Sequence, residues 1–271
     1  MAYTGTGTQS DPFIVDNWTD FKALCPRYGA YITLRADAEN KVMDVREDSS
    51  LERDFFYLRA HINGNGWTIR NFCTGSYAIR LAGNSINNLH FANLISRFYP
   101  FYDGAVFTDC TFTAVLTDHA CFMYGTKNYT PTFRRCSVSI RLMYTSTASL
   151  FYGNADVDGC MLRLSGSTEG LQLTDLGSFR DCMVTGALTL MGGQLLLDHP
   201  AGNCVFTLET DGTGAVIAET DSTLPNLVDI DLLADTLTKR ITGANWFPLT
   251  TALMQDAAYV QDTIKFPKIR Q

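Results

Sequence analysis

Three stretches in the middle of the chain share one pattern: FRRCSVSIRL at residues 133–142, VDGCMLRLSG at 157–166 and FRDCMVTGAL at 179–188. Each has an apolar residue three positions before a cysteine and another two positions after it. From the cysteine onward, apolar and polar side chains alternate, as in Cys136, Val138, Ile140 and Leu142. A period of two is typical of a half-buried β-strand, so the pattern predicts a repeated unit that contains a strand.

The same unit extends to both sides of these stretches. Cys110 and Cys204 carry further copies, and Leu89 takes the cysteine position in an earlier one. The position three residues before is apolar in every copy: Ile86, Phe107, Phe133, Val157, Phe179 and Ala201. So is the position two residues after: Phe91, Phe112, Val138, Leu162, Val184 and Phe206. The residue just before the cysteine position is mostly a turn former: Asn88, Asp109, Arg135, Gly159, Asp181 and Asn203.

A second series of glycines indicates another strand in each copy. These glycines mostly close short apolar or aromatic runs, such as FMYG at 122–125 and LFYG at 150–153, and they are Gly83, Gly104, Gly125, Gly153 and Gly177. Units of about 22 residues made of strands and turns are too short for propeller blades of about 40 residues, and they lack the consensus of leucine-rich repeats. They favour an all-β fold, a single-stranded parallel β-helix of roughly eight turns and about 40 Å in length.

The period also provides an interpretation of the eight cysteines. A β-helix stacks equivalent side chains on one another, so we expect a reduced structural column inside the core, formed by Cys110, Cys136, Cys160, Cys182 and Cys204. Disulfides are the alternative, but stacked side chains point the same way rather than toward each other. No pair has the Cys-x-x-Cys spacing of a zinc site, and there are only four histidines. We therefore predict neither a metal nor a cofactor.

Composition narrows the class of protein. The 271 residues are 46% apolar and only 18% charged, which excludes disorder, coiled coil and collagen. The N-terminus has no signal-peptide pattern, and no apolar run approaches the roughly 18 residues of a membrane span. The net charge of −7 argues against nucleic-acid binding.

Seven acids and no base lie between Val205 and Asp235. We interpret this stretch as a solvated face, with a calcium site or an electrostatic complement to a basic patch on a partner as alternatives.

The two ends of the chain predict caps. Asn17 is a candidate N-cap of a short helix whose apolar face is Trp18, Phe21 and Leu24. A strand at Tyr31–Leu34, a charged loop at Arg35–Arg53 and a strand at Phe55–Leu58 follow. We divide the chain into an N-terminal cap with the first turn (1–57), the repeats (58–216) and a C-terminal cap or contact arm (217–271). The tail alternates basic and apolar residues from Lys265 to Arg270, so it either docks on an acidic surface or frays.

These ends carry a resemblance. The opening GTGT at 5–8, the DPFIV at 11–15, the WTDF at 18–21 and the NGNGWTI at 63–69 resemble the start of right-handed parallel β-helix proteins from bacteriophages and from surface proteins of gut bacteria. The segment WFPLTTALMQDAAYV at 246–260, followed by Phe266 and Pro267, is similar to a segment that recurs late in the same group. The resemblance implies a right-handed β-helix with a short N-terminal capping helix and a C-terminal cap.

The absence of a signal pattern and the reduced cysteines favour the bacteriophage members of this group. The resemblance then implies a non-enzymatic virion structural protein, made in the host cytoplasm and located on the virion surface. A capsid decoration protein that assembles as a β-helical homotrimer is our first expectation, with the major capsid protein or another virion protein as partner. The alternative is a tail spike or fibre protein that binds or degrades host surface glycans. The turn aspartates match no set of polygalacturonase motifs, so we expect no catalytic residues.

Aromatic residues concentrate in the middle of the repeats. We predict that Tyr99, Phe101, Tyr102, Tyr124 and Tyr152 form an exposed stripe that serves as a subunit interface or binds a glycan. The alternative is that these rings fill the core or cover the edges of the sheet.

Overall fold

The computed structural model describes residues 3–48, 55–74, 79–119, 121–126, 128–197 and 201–264. In the N-terminal half, the strands are β1 (Phe13–Val15), β2 (Tyr31–Leu34), β3 (Val42–Asp44), β4 (Phe56–Tyr57), β5 (His61–Arg70), β6 (Cys73–Thr74), β7 (Ile79–Arg80), β8 (Ser85–Ser96), β9 (Phe101–Tyr102), β10 (Val106–Thr108), β11 (Thr111–Leu116) and β12 (Met123–Tyr124). In the C-terminal half they are β13 (Thr132–Arg134), β14 (Ser137–Thr145), β15 (Ala148–Tyr152), β16 (Asp156–Asp158), β17 (Met161–Thr168), β18 (Leu171–Thr174), β19 (Ser178–Arg180), β20 (Met183–Leu196), β21 (Ala201–Gly202), β22 (Val205–Ala218), β23 (Asn226–Asp229), β24 (Leu237–Ile241) and β25 (Trp246–Leu249).

These strands form a parallel β-helix, which confirms the predicted fold class. Each strand pairs in parallel with its equivalent one turn later, as β10 with β13, β13 with β16 and β16 with β19. The solenoid has about ten turns rather than roughly eight. The count from the sequence was low because the six aligned copies do not include the strands that pair in parallel at the two ends of the chain. At the N-terminal end β1 pairs with β2 and β2 pairs with β5, and at the C-terminal end β23 pairs with β25.

The sheet has three faces around one core. The first face contains β10, β13, β16 and β19, and the second contains β11, β14, β17 and the first part of β20. The third face contains β4, β7, β9, β12, β15, β18 and the last residues of β20, from Gln194. The exposed side chains differ from face to face, and the candidate site described below lies on the third face.

The repeat alignment coincides with the register of the strands. Phe107 lies opposite Phe133, which lies opposite Val157, and Phe112 lies opposite Val138, which lies opposite Leu162. The turn-former position is left-handed in every copy, which bends the chain from the first face to the second. Arg135 is the unusual residue there, with φ of 52°. Its guanidinium donates to Asp109 of the preceding turn at 2.7 and 2.8 Å.

Inward side chains stack on their own copies. The Phe107 and Phe133 ring centroids are 4.9 Å apart and nearly parallel, and Phe91 stacks on Phe112 at 5.4 Å. The five column cysteines are buried beside them as free thiols, and the backbone N–H of Cys136 donates to Cys160 Sγ at 3.3 Å. The thiols belong to a continuous apolar core that extends from Phe13 to Trp246, beside a smaller cluster of Val205, Leu227, Leu249 and Ile264.

A short helix covers the N-terminal end of that core, as the sequence predicts. Helix α1 spans Trp18–Leu24, and Asn17 Oδ1 accepts the backbone N–H of Asp20 at 2.9 Å. Phe21 and Leu24 are fully buried, while the Trp18 ring lies against Phe56 at 5.3 Å. The helix therefore shields the first apolar side chains of the solenoid from water.

The prediction of a loop from Arg35 to Arg53 is wrong in one part. Residues Val42–Asp44 form β3, which pairs with β5 and buries Met43. The alternation in three residues was too short to stand out within a charged stretch. Residues 49–54 lie outside the described part of the chain.

Parallel pairing continues into the segment that we assign to the C-terminal cap. Strand β22 pairs with β24, and β23 pairs with β25. A 3-10 turn (Ile230–Leu232), helix α2 (Thr251–Gln255) and a π-helical turn (Tyr259–Thr263) complete this end. Asp229, from the acidic stretch, is buried and accepts the Thr251 hydroxyl at 2.8 and 3.0 Å. The basic tail from Lys265 to Arg270 lies outside the described residues.

Candidate functional site

Three tyrosines stack on one another along the outside of the third face. Tyr102 lies opposite Tyr124, which lies opposite Tyr152, so they occupy one register position on successive turns. Their ring centroids are 5.5 and 4.6 Å apart, with interplanar angles of 5° and 17°. We call these three residues the tyrosine column. Tyr99 packs beside it, 5.0 Å from Tyr124.

The column ends at tight corners. Gly153 follows Tyr152 with φ of 84°, and a Cβ there would lie 2.7 Å from the backbone oxygen of Gly125. Only glycine allows this approach together with this backbone conformation. The corner thus keeps Tyr152 at the end of its strand, where 41% of its surface remains exposed.

Phe101 does not belong to the exposed stripe. It is fully buried and packs edge-on against Phe112 at 5.6 Å. The physical reason is the alternation within β9, which turns Tyr102 outward and the residue before it inward. The assignment of Phe101 to a surface interface is therefore corrected, while Tyr99, Tyr102, Tyr124 and Tyr152 come together as one surface.

A groove of about 720 Å³ runs beside the tyrosine column. Its walls combine aromatic rings, hydroxyls, amides and a Gly-Gly pair. The lining residues are Phe98, Tyr99, His119, Cys121, Tyr124, Thr147, Ser149, Tyr152, Leu171, Gln172, Gly192, Gly193, Gln194 and Leu196. No Asp, Glu, Lys or Arg is among these described residues. The groove is therefore an uncharged cleft with aromatic faces and neutral hydrogen-bonding groups.

His119, which lines the groove, makes a contact with Ser146 that resembles a catalytic pair. His119 Nδ1 lies 2.8 Å from Ser146 Oγ, and the His119 ring stacks on Phe98 at 5.1 Å. The Ser146 hydroxyl also lies 2.9 Å from the backbone oxygen of Asp118, to which it can donate its proton. With that donation the imidazole donates to Ser146 Oγ and does not act as its base.

The same kind of contact recurs away from the groove. His61 Nδ1 lies 2.9 Å from Ser85 Oγ, and His90 Nδ1 lies 2.7 Å from Thr111 Oγ1. In each case the hydroxyl comes from the following turn of the solenoid. These contacts therefore tie successive turns together, and the pair at His119 is one of that series.

The turn aspartates also form ion pairs and hydrogen bonds between successive turns of the solenoid. Asp109 pairs with Arg135, Asp118 pairs with Arg97 at 2.9 Å, and Asp156 accepts the Ser178 hydroxyl at 2.7 Å. In the described part of the chain, no three His, Cys, Asp or Glu residues cluster as a metal site would require. No described helix is long and apolar enough to cross a bilayer.

A second, cationic region lies at the N-terminal end of the tyrosine column. Arg80 occupies the register position before Tyr102, and its guanidinium lies 5.4 Å from the centre of that ring. Arg80 Nε donates to Asp103 at 3.1 Å, and this hydrogen bond raises the pKa of the guanidinium. Arg59 lies over the face of Tyr57 at 4.3 Å. Burial raises the pKa of the Tyr124 hydroxyl above its ordinary value, so Tyr124 stays neutral at pH 7.

Sequence reasoning missed several residues of the groove. Gln172, Gln194, Phe98 and His119 were not predicted as site residues. Gln194 reaches the groove because β20 has a register irregularity between Met191 and Gln194. The Gly192–Gly193 pair inside an otherwise apolar strand was the available signal, since such glycines mark bulges.

Comparisons with known proteins support the fold. No protein-family model matches the chain, and no curated protein matches it in sequence. A crystal structure from Bacteroides ovatus, described as a "putative immunoglobulin A1 protease", matches with a TM-score of 0.50 at 15% identity. The match covers 96% of this chain and 90% of the other. At that identity the likeness shows the β-helix fold, and the described activity belongs to the Bacteroides protein.

Proposed function

We propose that this chain is a non-enzymatic binding solenoid whose third face takes an extended glycan. The observation that carries the proposal is the groove of about 720 Å³ beside the tyrosine column. Aromatic faces cover the apolar side of a sugar ring, while amides and hydroxyls exchange hydrogen bonds with its hydroxyl groups. Tyr124 and Tyr152 provide the faces, and Gln172, Gln194 and Ser149 provide the polar groups.

The absence of charge in the described lining favours binding over cleavage. Hydrolysis of a glycosidic bond requires a pair of carboxyl groups beside the bond, and β-elimination requires a base with a charged partner. Neither set is present among the described residues of the groove. Proteolysis, which the neighbour's description names, would need an activated nucleophile or a metal. The His119–Ser146 contact is better explained as a tie between turns.

A glycan array followed by calorimetry tests this proposal. We expect the purified chain to bind at least one class of oligosaccharide. Replacing Tyr152→Ala should weaken binding about tenfold or more, equivalent to roughly 1.4 kcal/mol, because one stacking face is lost. Met161→Ala is the matched control, since Met161 is 49% exposed on the second face. A wild-type chain that binds no glycan, or a Tyr152 variant that binds as tightly, would contradict the proposal.

Self-association is the second candidate for the tyrosine column. The homotrimeric virion protein expected from the sequence needs an exposed apolar face, and the stacked rings that end at Tyr152 provide one. Replacing both Tyr102→Ser and Tyr152→Ser should then lower the molecular mass in solution, measured by light scattering. An unchanged mass would exclude the column as the interface. The phage origin, the capsid partner and the virion-surface location stay predictions, and co-sedimentation with undecorated capsids would test them.

A further inference from the structure

A cavity of about 350 Å³ lies at the corner beyond the N-terminal end of the tyrosine column. Side chains with hydrogen-bond donors line it: Arg59, Arg80, Asn128, Tyr28 and Tyr129. Asp103 is the single acid among its described lining residues. The cavity therefore differs from the uncharged groove in having two guanidinium groups against one carboxylate.

The two guanidinium groups are not equivalent. Asp103 is buried, and its carboxylate accepts from Arg80 Nε at 3.1 Å and from the Thr126 hydroxyl at 2.7 Å. That carboxylate balances the charge of Arg80. Arg59 is half-buried over Tyr57, and among the described residues no carboxylate lies within ion-pair distance of it. Among its described lining residues, the cavity therefore has one positive charge, that of Arg59, without a carboxylate partner.

The cavity and the groove are joined by shared contacts. Tyr124 lines the groove and stacks on Tyr102. Tyr102 in turn lies under the guanidinium of Arg80, which lines the cavity. The equivalent positions run Tyr57, Arg80, Tyr102, Tyr124 and Tyr152 on successive turns. At about 4.8 Å per turn this path is about 20 Å long, enough for several sugar rings.

We infer that the Arg59 cavity binds the carboxylate of an acidic sugar residue, in a glycan whose neutral part lies along the tyrosine column. The planar guanidinium edge of Arg59 matches the two oxygens of a carboxylate. The Asn128 amide and the Tyr28 and Tyr129 hydroxyls supply further donors. This inference rests on the proposed function, and it adds that the bound glycan is acidic.

Matched pairs of acidic and neutral oligosaccharides test directly whether the cavity recognises a negative charge. One pair is hexagalacturonate and its methyl ester, and the other is a sialylated oligosaccharide and its desialylated form. A sulfated oligosaccharide distinguishes a carboxylate from another anion. Calorimetry is run on the wild type, on Arg59→Gln and on Arg163→Gln, which removes one exposed positive charge from the second face.

We expect the acidic member of at least one pair to bind about tenfold or more tightly than its neutral form. Arg59→Gln should abolish that difference by weakening the acidic member far more than the neutral one, while Arg163→Gln should keep it. Equal binding of both members, with a tyrosine-dependent affinity, would overturn this inference and leave the proposed function standing. Tighter binding of the sulfated probe would overturn the carboxylate assignment. Binding of no probe in the panel or on the array would overturn both proposals.

Discussion

The cysteine column and the tyrosine column are both stacks of one residue type, yet they lie on opposite sides of the same sheet. The cysteines are at most 3% exposed, and each thiol lies 3.0 to 3.5 Å from the backbone oxygen two residues before it. The tyrosines contact one another across turns and keep part of their surface in water. Repetition inside follows from close packing of equivalent positions. Repetition outside is not required by packing of the core, and it supports the proposed role of the tyrosine column in binding.

The largest expected difference is between the effects of a core substitution and a surface substitution on stability. Phe133→Ala removes a fully buried ring that stacks on Phe107 and packs edge-on against Phe151. It should lower the free energy of unfolding by about 3–5 kcal/mol. Tyr152→Ala, which acts on the exposed column, should lower it by less than about 1 kcal/mol. Urea unfolding of both variants measures this, and equal losses would remove the distinction between the two columns.

A smaller effect on the free energy of unfolding is expected when a cysteine is replaced. Cys136→Ser places a hydroxyl in an apolar core, which should cost about 1–2 kcal/mol. Cys73→Ser is the control and should cost almost nothing, because Cys73 is exposed.

Thiol labelling of the native wild type adds a second readout of the burial of the cysteines. Cys73 should react rapidly, while burial raises the pKa of the Cys121 thiol to about 12 and slows its reaction. Fast labelling of several thiols would show that the column is not closed to solvent.

The smallest effect concerns the ion pair at the bend. The hydrogen bond from Arg135 holds the pKa of Asp109 below its ordinary value. A lowered pKa in the folded state gives stability that is present above the unfolded value of about 3.9 and is lost as pH falls through the folded value. Asp109→Asn should therefore be less stable than the wild type at pH 6, and the difference should shrink toward pH 3. Asparagine tolerates the left-handed backbone at this position. A difference that does not change with pH would argue against the ion pair.

The interior could be predicted from the sequence because its repeat is strict. Buried positions cannot change size freely, so Phe107, Phe133 and Phe179 keep their spacing from the cysteines and define the register. The third face could not be aligned in the same way. Gly125 and Gly153 share a register position, but Gly104 lies one residue later than its equivalent. Counting from glycines therefore does not place Tyr102 opposite Tyr124, nor Arg80 before them.

The site itself was predicted only in part. The aromatic stripe was found by composition, but composition does not separate an inward Phe101 from an outward Tyr102. Gln172 and Gln194 come from strands with no distinctive motif, and they join the groove only because the solenoid brings three turns together. Arg59 is 21 residues from Arg80 in the chain. They line the same cavity because about one turn of the solenoid separates them. No cysteine marks the length of that turn in the sequence.

Hydroxyl-radical footprinting with and without a bound glycan tests the binding surface most directly. We expect the ligand to lower oxidation of the four tyrosines on the third face, Tyr99, Tyr102, Tyr124 and Tyr152. Met143 and Met161, which are 42% and 49% exposed on the second face, should oxidise at the same rate in both states. Protection of the two methionines with unchanged tyrosines would contradict the claim that the third face is the binding face.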